Sequence, residues 1–319
     1  MHQPDGPTKM STDSHSRCVI HGHRGARGLA PENTLKGFTR ACQIGVDGLE
    51  LDVLINAEER VVIHHDHRLN PDLTRDKRGL WIDTPTPLIK DLDTVDLKSY
   101  DIGQVKPGSK THQTFPRQYP SNGESILLLS DLAEWWKNLK PGPIINIELK
   151  SHPECPDHTP PVKDYVGIVI DEIKRLDLME HVWIQAFDWS LLIETKRQCK
   201  SIPTGFLSAE HDDDPTVWKE TPSPWLAGFD PFCHNGIVAD AVVAAGGDYW
   251  GPWYGDLCQQ SVAHARNLGL GVHPWTLNES ADIKKTLEWG VTGITTDYPD
   301  VARKIFHANR IPVPDTLDC

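Results

Sequence analysis

The sequence has no paired cysteines, no long apolar run and no surplus of positive charge. Its seven cysteines, Cys18, Cys42, Cys155, Cys199, Cys233, Cys258 and Cys319, are odd in number, scattered and free of any C-x-x-C spacing. Neither a disulfide framework nor a zinc site follows from such a pattern. No stretch approaches the roughly 18 consecutive apolar residues that a transmembrane helix needs. Residues 1–17 are polar, rich in His, Asp, Ser and Lys, and lack the apolar segment of a signal peptide. They are expected to form a disordered tail on a cytoplasmic protein. A formal net charge of −13 argues against a general nucleic-acid or anionic-membrane surface, so any bound phosphate must be met by a few local cations.

What is present is an alternation of short apolar runs with amphipathic ones, the pattern of repeated βα units around a parallel sheet. At 319 residues the chain suits one large α/β domain with an insertion. Strands are expected at 18–21, 48–54, 143–149, 182–187, 204–207, 248–250, 271–275 and 293–296, with an extra strand at 60–64. Helices are expected between them, the first capped by Asn33-Thr34 and closed by Gly45. Eight strands with intervening helices predict a (β/α)8 TIM barrel, whose site lies at the C-terminal strand ends. The alternation breaks over about residues 67–125, where ten Pro and Gly residues punctuate the chain and only 89–100 is plausibly helical. A loop of that length needs a job, so it is read as an inserted lid or small subdomain after strand 2. The expected organisation is a tail at 1–17, a barrel at 18–308 and a C-terminal tail at 309–319.

The stretch from Val19 to Val53 organises the chain. A short apolar run ends in His23-Arg24-Gly25, a Pro31-Glu32-Asn33-Thr34 tetrad opens a helix, and a second strand carries Glu50 and Asp52. Strand residues two apart point the same way, so these carboxylates project together while Leu49, Leu51 and Val53 point into packing. Two adjacent carboxylates repel unless a cation lies between them, and hard oxygen ligands suit Mg2+ or Ca2+. Glu148 and Lys150 are likewise two apart at the end of the third strand. Trp275 and Asp297 follow strands seven and eight.

The motifs His23-Arg24-Gly25, Pro31-Glu32-Asn33-Thr34, Glu50-Leu-Asp52, His65-Asp66, Glu148-Leu-Lys150, Trp275-Thr-Leu-Asn278 and Asp297-Tyr-Pro299 together resemble the glycerophosphodiester phosphodiesterase family, in family order and over nearly the whole chain. The resemblance implies a TIM barrel with an insertion after the second catalytic His. It also implies hydrolysis of small glycerophosphodiesters to sn-glycerol 3-phosphate and an alcohol. By the same resemblance Glu50, Asp52 and Glu148 hold one divalent cation, Mg2+ or Ca2+, His23 and His65 are the acid-base pair, and Arg24 and Lys150 hold the phosphate. Family precedent has the glycerol hydroxyl attack first, giving a cyclic phosphate that water opens. Two departures stand out: Ile126 is followed by Leu127 where many relatives have Ile-Pro, and Ala186 precedes Phe187 where Ser is frequent.

The chemistry asks for the same residue types: fixed positive charge for the phosphoryl oxygens and histidine for protons moving near neutral pH. Among 16 histidines, His21, His64 and His67 are read as structural or as neighbours. Glu32 and Asn33 either open the helix or position the site, Asp297 is read as supporting it, and Trp275 packs on the glycerol edge. Competing functions are a phospholipase on the same barrel, phosphatidylinositol-specific or like sphingomyelinase D, and a metabolite-binding barrel without turnover. Self-association is left open.

Overall fold

The computed structural model describes residues 17–211 and 214–317. The tail expected at 1–17 lies outside the described residues except for Arg17, which is tied to the Pro312 carbonyl and pairs with Asp47. Residues 309–317 form no helix or strand and lie along the barrel. Leu317 N donates to Cys42 O, and Arg303 donates to Pro314 O. Among the described residues no cysteine forms a disulfide with another.

Eight strands form the parallel ring: β1 (Val19–Gly22), β2 (Gly48–Ile55), β5 (Ile144–Leu149), β6 (Val182–Ala186), β7 (Thr204–Ser208), β8 (Tyr249–Pro252), β9 (Gly271–Val272) and β10 (Gly293–Thr296). Their order is β10-β1-β2-β5-β6-β7-β8-β9. Backbone bonds from Thr292 N to Val272 O and from Thr295 N to Pro274 O close it into the predicted TIM barrel. The helix before β8 is α7 (Val238–Ala244), only seven residues long. A Pro- and Asp-rich lead-in obscures it because its apolar face spans barely two turns.

The first helix, α1 (Leu35–Ile44), starts and stops as its sequence predicts. Thr34 accepts the Gly37 N–H at 3.0 Å, and Gly45, at φ 88°, donates back to Ala41 and Cys42. Such a positive φ suits glycine, which has no Cβ to clash. The expected helix at 89–100 instead divides into a 3-10 turn at Ile89–Asp91 and α2 (Thr94–Ser99). Asp93 starts α2 by accepting the Asp96 N–H at 2.7 Å, and that side-chain cap sets the helix start apart from the preceding turn.

The insertion is built on a small antiparallel sheet. Chain 61–63 forms β3 (Val61–Ile63), which pairs with β2 and with a short strand unseen in the sequence, β4 (Leu127–Leu128). Leu54, Val62, Leu69, Ile89, Leu97, Ile102 and Leu128 close a second core, separate from the main one. The inserted segment is therefore a packed subdomain. Its short helix α3 (Lys110–Thr114) leads into Phe115–Tyr119, which lies against the loop after β1.

Inside the barrel the floor is aromatic and polar. The rings of His21, Trp183 and His273 meet at centroid distances of 4.4 to 5.1 Å, and Tyr249 packs on Trp183 at 4.4 Å. A Cβ on Gly48 would stand 2.5 Å from the His21 ring, so glycine there makes room for a ring where TIM barrels commonly place branched aliphatic residues. Burial drives the His21 pKa down to about 3 and lowers that of His273 well below its usual value. Both are neutral spacers.

Candidate active site

The turn after β1 determines where everything else stands. Arg24 and Gly25 take left-handed backbone, φ 49° and 88°, and a Cβ on Gly25 would sit 2.7 Å from the Gly37 backbone. This reversal aims the Arg24 N–H at Glu50 Oε2, 2.8 Å away, and the Gly25 N–H at Glu50 O. The turn and β2 are thus joined through a carboxylate.

Asp52 and Glu148 are register partners on β2 and β5. With Glu50 they form a buried triad whose nearest oxygens lie within 4.8 Å of one another. Burial first, and then the charges of Asp52 and Glu148, raises the Glu50 pKa well above normal. Asp52 Oδ1 is buried with no hydrogen-bond partner among the described residues. Asn33 donates to Asp52 Oδ2 at 3.0 Å, and Gln185 reaches Glu50 Oε1 at 3.4 Å while accepting from Asn146. An orphaned oxygen among three converging carboxylates, held from behind by amides, fits a hard divalent cation.

The two candidate histidines are arranged alike. His23 bonds Asp297 through Nδ1 at 2.7 Å, with Nε2 3.9 Å from Glu50, and His65 bonds Asp66 through Nδ1 at 2.6 Å. Each therefore keeps Nε2 for chemistry. Both line a cavity of about 200 Å³ with Glu50, Glu148 and Lys150. Burial, then the nearby charges of Arg24 and Lys150, lowers the His65 pKa well below normal. Asp297 is buried as well, yet His23 beside it holds its carboxyl below the usual range. His64 does not line this cavity; its Nδ1 is tied to the Asp66 carbonyl at 2.7 Å.

Of the expected phosphate-holding cations, Arg24 is buried between Glu32 and Asp52, at 2.7 and 3.2 Å, and Lys150 is 2.6 Å from Glu148. Glu32 is not the helix cap, a role Thr34 fills; its carboxylate bonds both Arg24 and Arg27. Trp275 lines the cavity, donates to Gly251 O and meets the Phe187 ring edge-on at 5.2 Å. Asn278 fixes Asp297 Oδ2 at 2.7 Å. A larger cavity of about 630 Å³ opens from the same walls toward His67, His152 and Trp225. Sequence reasoning missed Arg27, Gln185, Phe187 and Trp225 as site residues. Only Arg27 carried a signal, as a cation three residues beyond Arg24 in the same turn.

A family model, the Glycerophosphoryl diester phosphodiesterase family, matches residues 23–301. The chain belongs to this family. As a member of the glycerophosphoryl diester phosphodiesterases it is 27% identical to a glycerophosphodiester phosphodiesterase of Bacillus subtilis, over 92% of this chain and 87% of that one. It is also 27% identical to the lysophospholipase D GDPD1 of Homo sapiens, over 89% and 85%. Among solved structures, a Silicibacter pomeroyi chain designated a glycerophosphoryl diester phosphodiesterase superposes with a TM-score of 0.82 at 30% identity, over 95% and 99%. An Oleispira antarctica phosphodiesterase, solved with its product sn-glycerol-3-phosphate, shares the fold at a TM-score of 0.66 and 21% identity, over 92% and 99%. No described helix is long and apolar enough to cross a membrane.

Proposed function

We propose that this glycerophosphodiester phosphodiesterase hydrolyses small glycerophosphodiesters to sn-glycerol 3-phosphate and an alcohol, with one divalent cation and two histidines. The observation that carries the reading is the carboxylate triad beside two histidines whose Nε2 atoms make no hydrogen bond among the described residues, over one cavity. Glu50, Asp52 and Glu148 would hold Mg2+ or Ca2+, which when bound supplies Lewis-acid stabilisation of phosphoryl charge.

The protein's own groups move the protons. His65, kept neutral by burial beside Arg24 and Lys150, takes a proton from the attacking hydroxyl at Nε2. His23, held through Nδ1 by Asp297 at 2.7 Å, gives one from Nε2 to the leaving alkoxide. Lys150 and Arg24 add fixed positive charge at the carboxylates and phosphate. The larger cavity takes the alcohol, and the insertion, which supplies His67 and Arg68 to its wall, sets which alcohol fits.

The likeness to a lysophospholipase D supports a second reading in which the diester carries an acyl chain. Both are tested by one panel: glycerophosphocholine, glycerophosphoethanolamine, glycerophosphoinositol and lysophosphatidylcholine, each with and without EDTA. Turnover of the deacylated diesters alone supports the first reading, preference for the lysolipid the second. No hydrolysis of any member with added Mg2+ or Ca2+ sinks both.

A further inference from the structure

Three cations border the catalytic cavity, and two of them are already engaged. Arg24 is buried and bonded to Glu32 and lies against Asp52, while Lys150 is held by Glu148. Arg27 differs. Its Nε donates to Glu32 Oε2 at 2.7 Å, its side chain is 21% exposed, and its two terminal amino groups have no hydrogen-bond partner among the described residues. It lines the same cavity as His23 and His65. Glu32 engages Arg27 at Nε, which leaves both terminal amino groups for a ligand. An arginine with its forked end open in a cleft is suited to an oxyanion, which it can hold with two parallel bonds.

The insertion fixes this arginine. Phe115, buried at the end of α3, has the Arg27 guanidinium 4.5 Å above its ring centre. The Gln118 side chain donates to the Arg27 carbonyl at 2.7 Å, and Tyr119 N donates to Leu29 O at 3.0 Å. Arg117 stacks on Tyr298 at 5.0 Å and pairs with Asp300 at 2.6 Å. Phe115, Gln118 and Tyr119 therefore grip the loop after β1 while Arg117 holds the segment after β10, and the Phe115 face holds the Arg27 fork with its stem packed.

We propose that Arg27 contacts an anionic oxygen of the substrate phosphate and that Phe115 orients it, so that the insertion acts on phosphate binding through this one residue. The proposal rests on the phosphodiesterase reading above. Arg27 is a specificity-determining contact for the phosphate ester, and Phe115 is a positioning residue.

The test measures calorimetric binding of sn-glycerol 3-phosphate and inorganic phosphate to the full chain in Mg2+, alongside turnover. Arg27→Ala and Arg27→Met, the latter keeping the stem on Phe115, should weaken both ligands by about ten- to a hundredfold, the scale of a lost charged hydrogen bond. Arg27→Lys should fall between them and the parent protein. Phe115→Ala should weaken binding several-fold alone and have no further effect when added to Arg27→Met. Parent-like phosphate binding in both Arg27 replacements overturns the contact, and a full Phe115 effect on the Arg27→Met background overturns the coupling. Arg27-dependent binding without hydrolysis of any diester would leave this inference standing and remove the phosphodiesterase reading. Hydrolysis unaffected by either Arg27 replacement would do the reverse.

Discussion

Asp52 and Glu148 stand directly opposite each other on β2 and β5, both buried, with Glu50 one strand step below Asp52. Three like charges at that spacing are tolerable only with a cation among them or with protons on some of them. Chelation should abolish turnover, and Mg2+ or Ca2+ should restore it. Glu148→Gln should weaken metal affinity while the fold persists. At a metal concentration about 100 times Kd, removal of the ion should lower stability by about 2.7 kcal/mol. Full activity and an unchanged melting temperature after exhaustive EDTA treatment would rule out the cage.

Replacing the two histidines separates chemistry from structure. His23→Ala and His65→Ala should each lower kcat by at least about a hundredfold, the scale of a lost acid-base group. His64→Ala should cost stability through the lost Asp66 carbonyl bond and leave folded enzyme active. Kinetics on variants that melt cooperatively decide it. An inactive His64→Ala with an active His65→Ala would move the site by one residue.

Glu32 carries two guanidiniums, and its pKa falls to about 2 although burial alone would raise it; Arg27 and Arg24 supply the opposing charge. A carboxylate depressed on folding adds stability above its unfolded pKa, near 4.5, and loses it as pH falls toward 2. Glu32→Gln removes the nearer of the two carboxylates that hold buried Arg24 and should cost up to about 3–5 kcal/mol at neutral pH. Denaturant titrations at several pH values should show that difference shrinking between pH 4.5 and 2. A pH-independent difference would contradict the charge assignment.

The floor histidines act over a higher window. His21 is held neutral by burial, with a folded pKa of about 3. The unfolded chain therefore binds more protons than the folded one between about pH 6.5 and 3, and stability should fall as pH drops through that range. His21→Phe, which keeps a ring against Trp183 and His273, should flatten the slope. A slope identical to that of the parent would show that His21 titrates alike in both states.

Much of the barrel was legible because strand and helix periods are local. The apolar runs around Leu49-Glu50-Leu51-Asp52 and Ile144–Leu149 announced parallel strands, and the i, i+2 spacing alone put Glu50 and Asp52 on one face. Thr34 and Gly45 named the limits of α1 by their own chemistry. The seven motifs identified the family from the sequence alone. Weaker signals were lost where an element is short: β4 is two residues long and α7 barely two turns, too little for a period to emerge.

Tertiary structure decided what depends on residues far apart in the chain. Glu148 joins Glu50 and Asp52 only because β5 pairs with β2 in that register. Glu32 serves Arg24 and Arg27 because the turn after β1 folds back on itself in left-handed backbone, leaving the helix cap to Thr34. Phe115 reaches Arg27 across 88 residues of sequence, from an insertion whose Pro and Gly content marked it only as irregular. Local sequence sets backbone preference and the face a side chain occupies. Distance between side chains from separate segments is set by strand pairing and core packing; the neutrality of His21 and His65 follows from the burial that packing imposes, and the ionisation of Glu32 from the two guanidiniums it brings alongside.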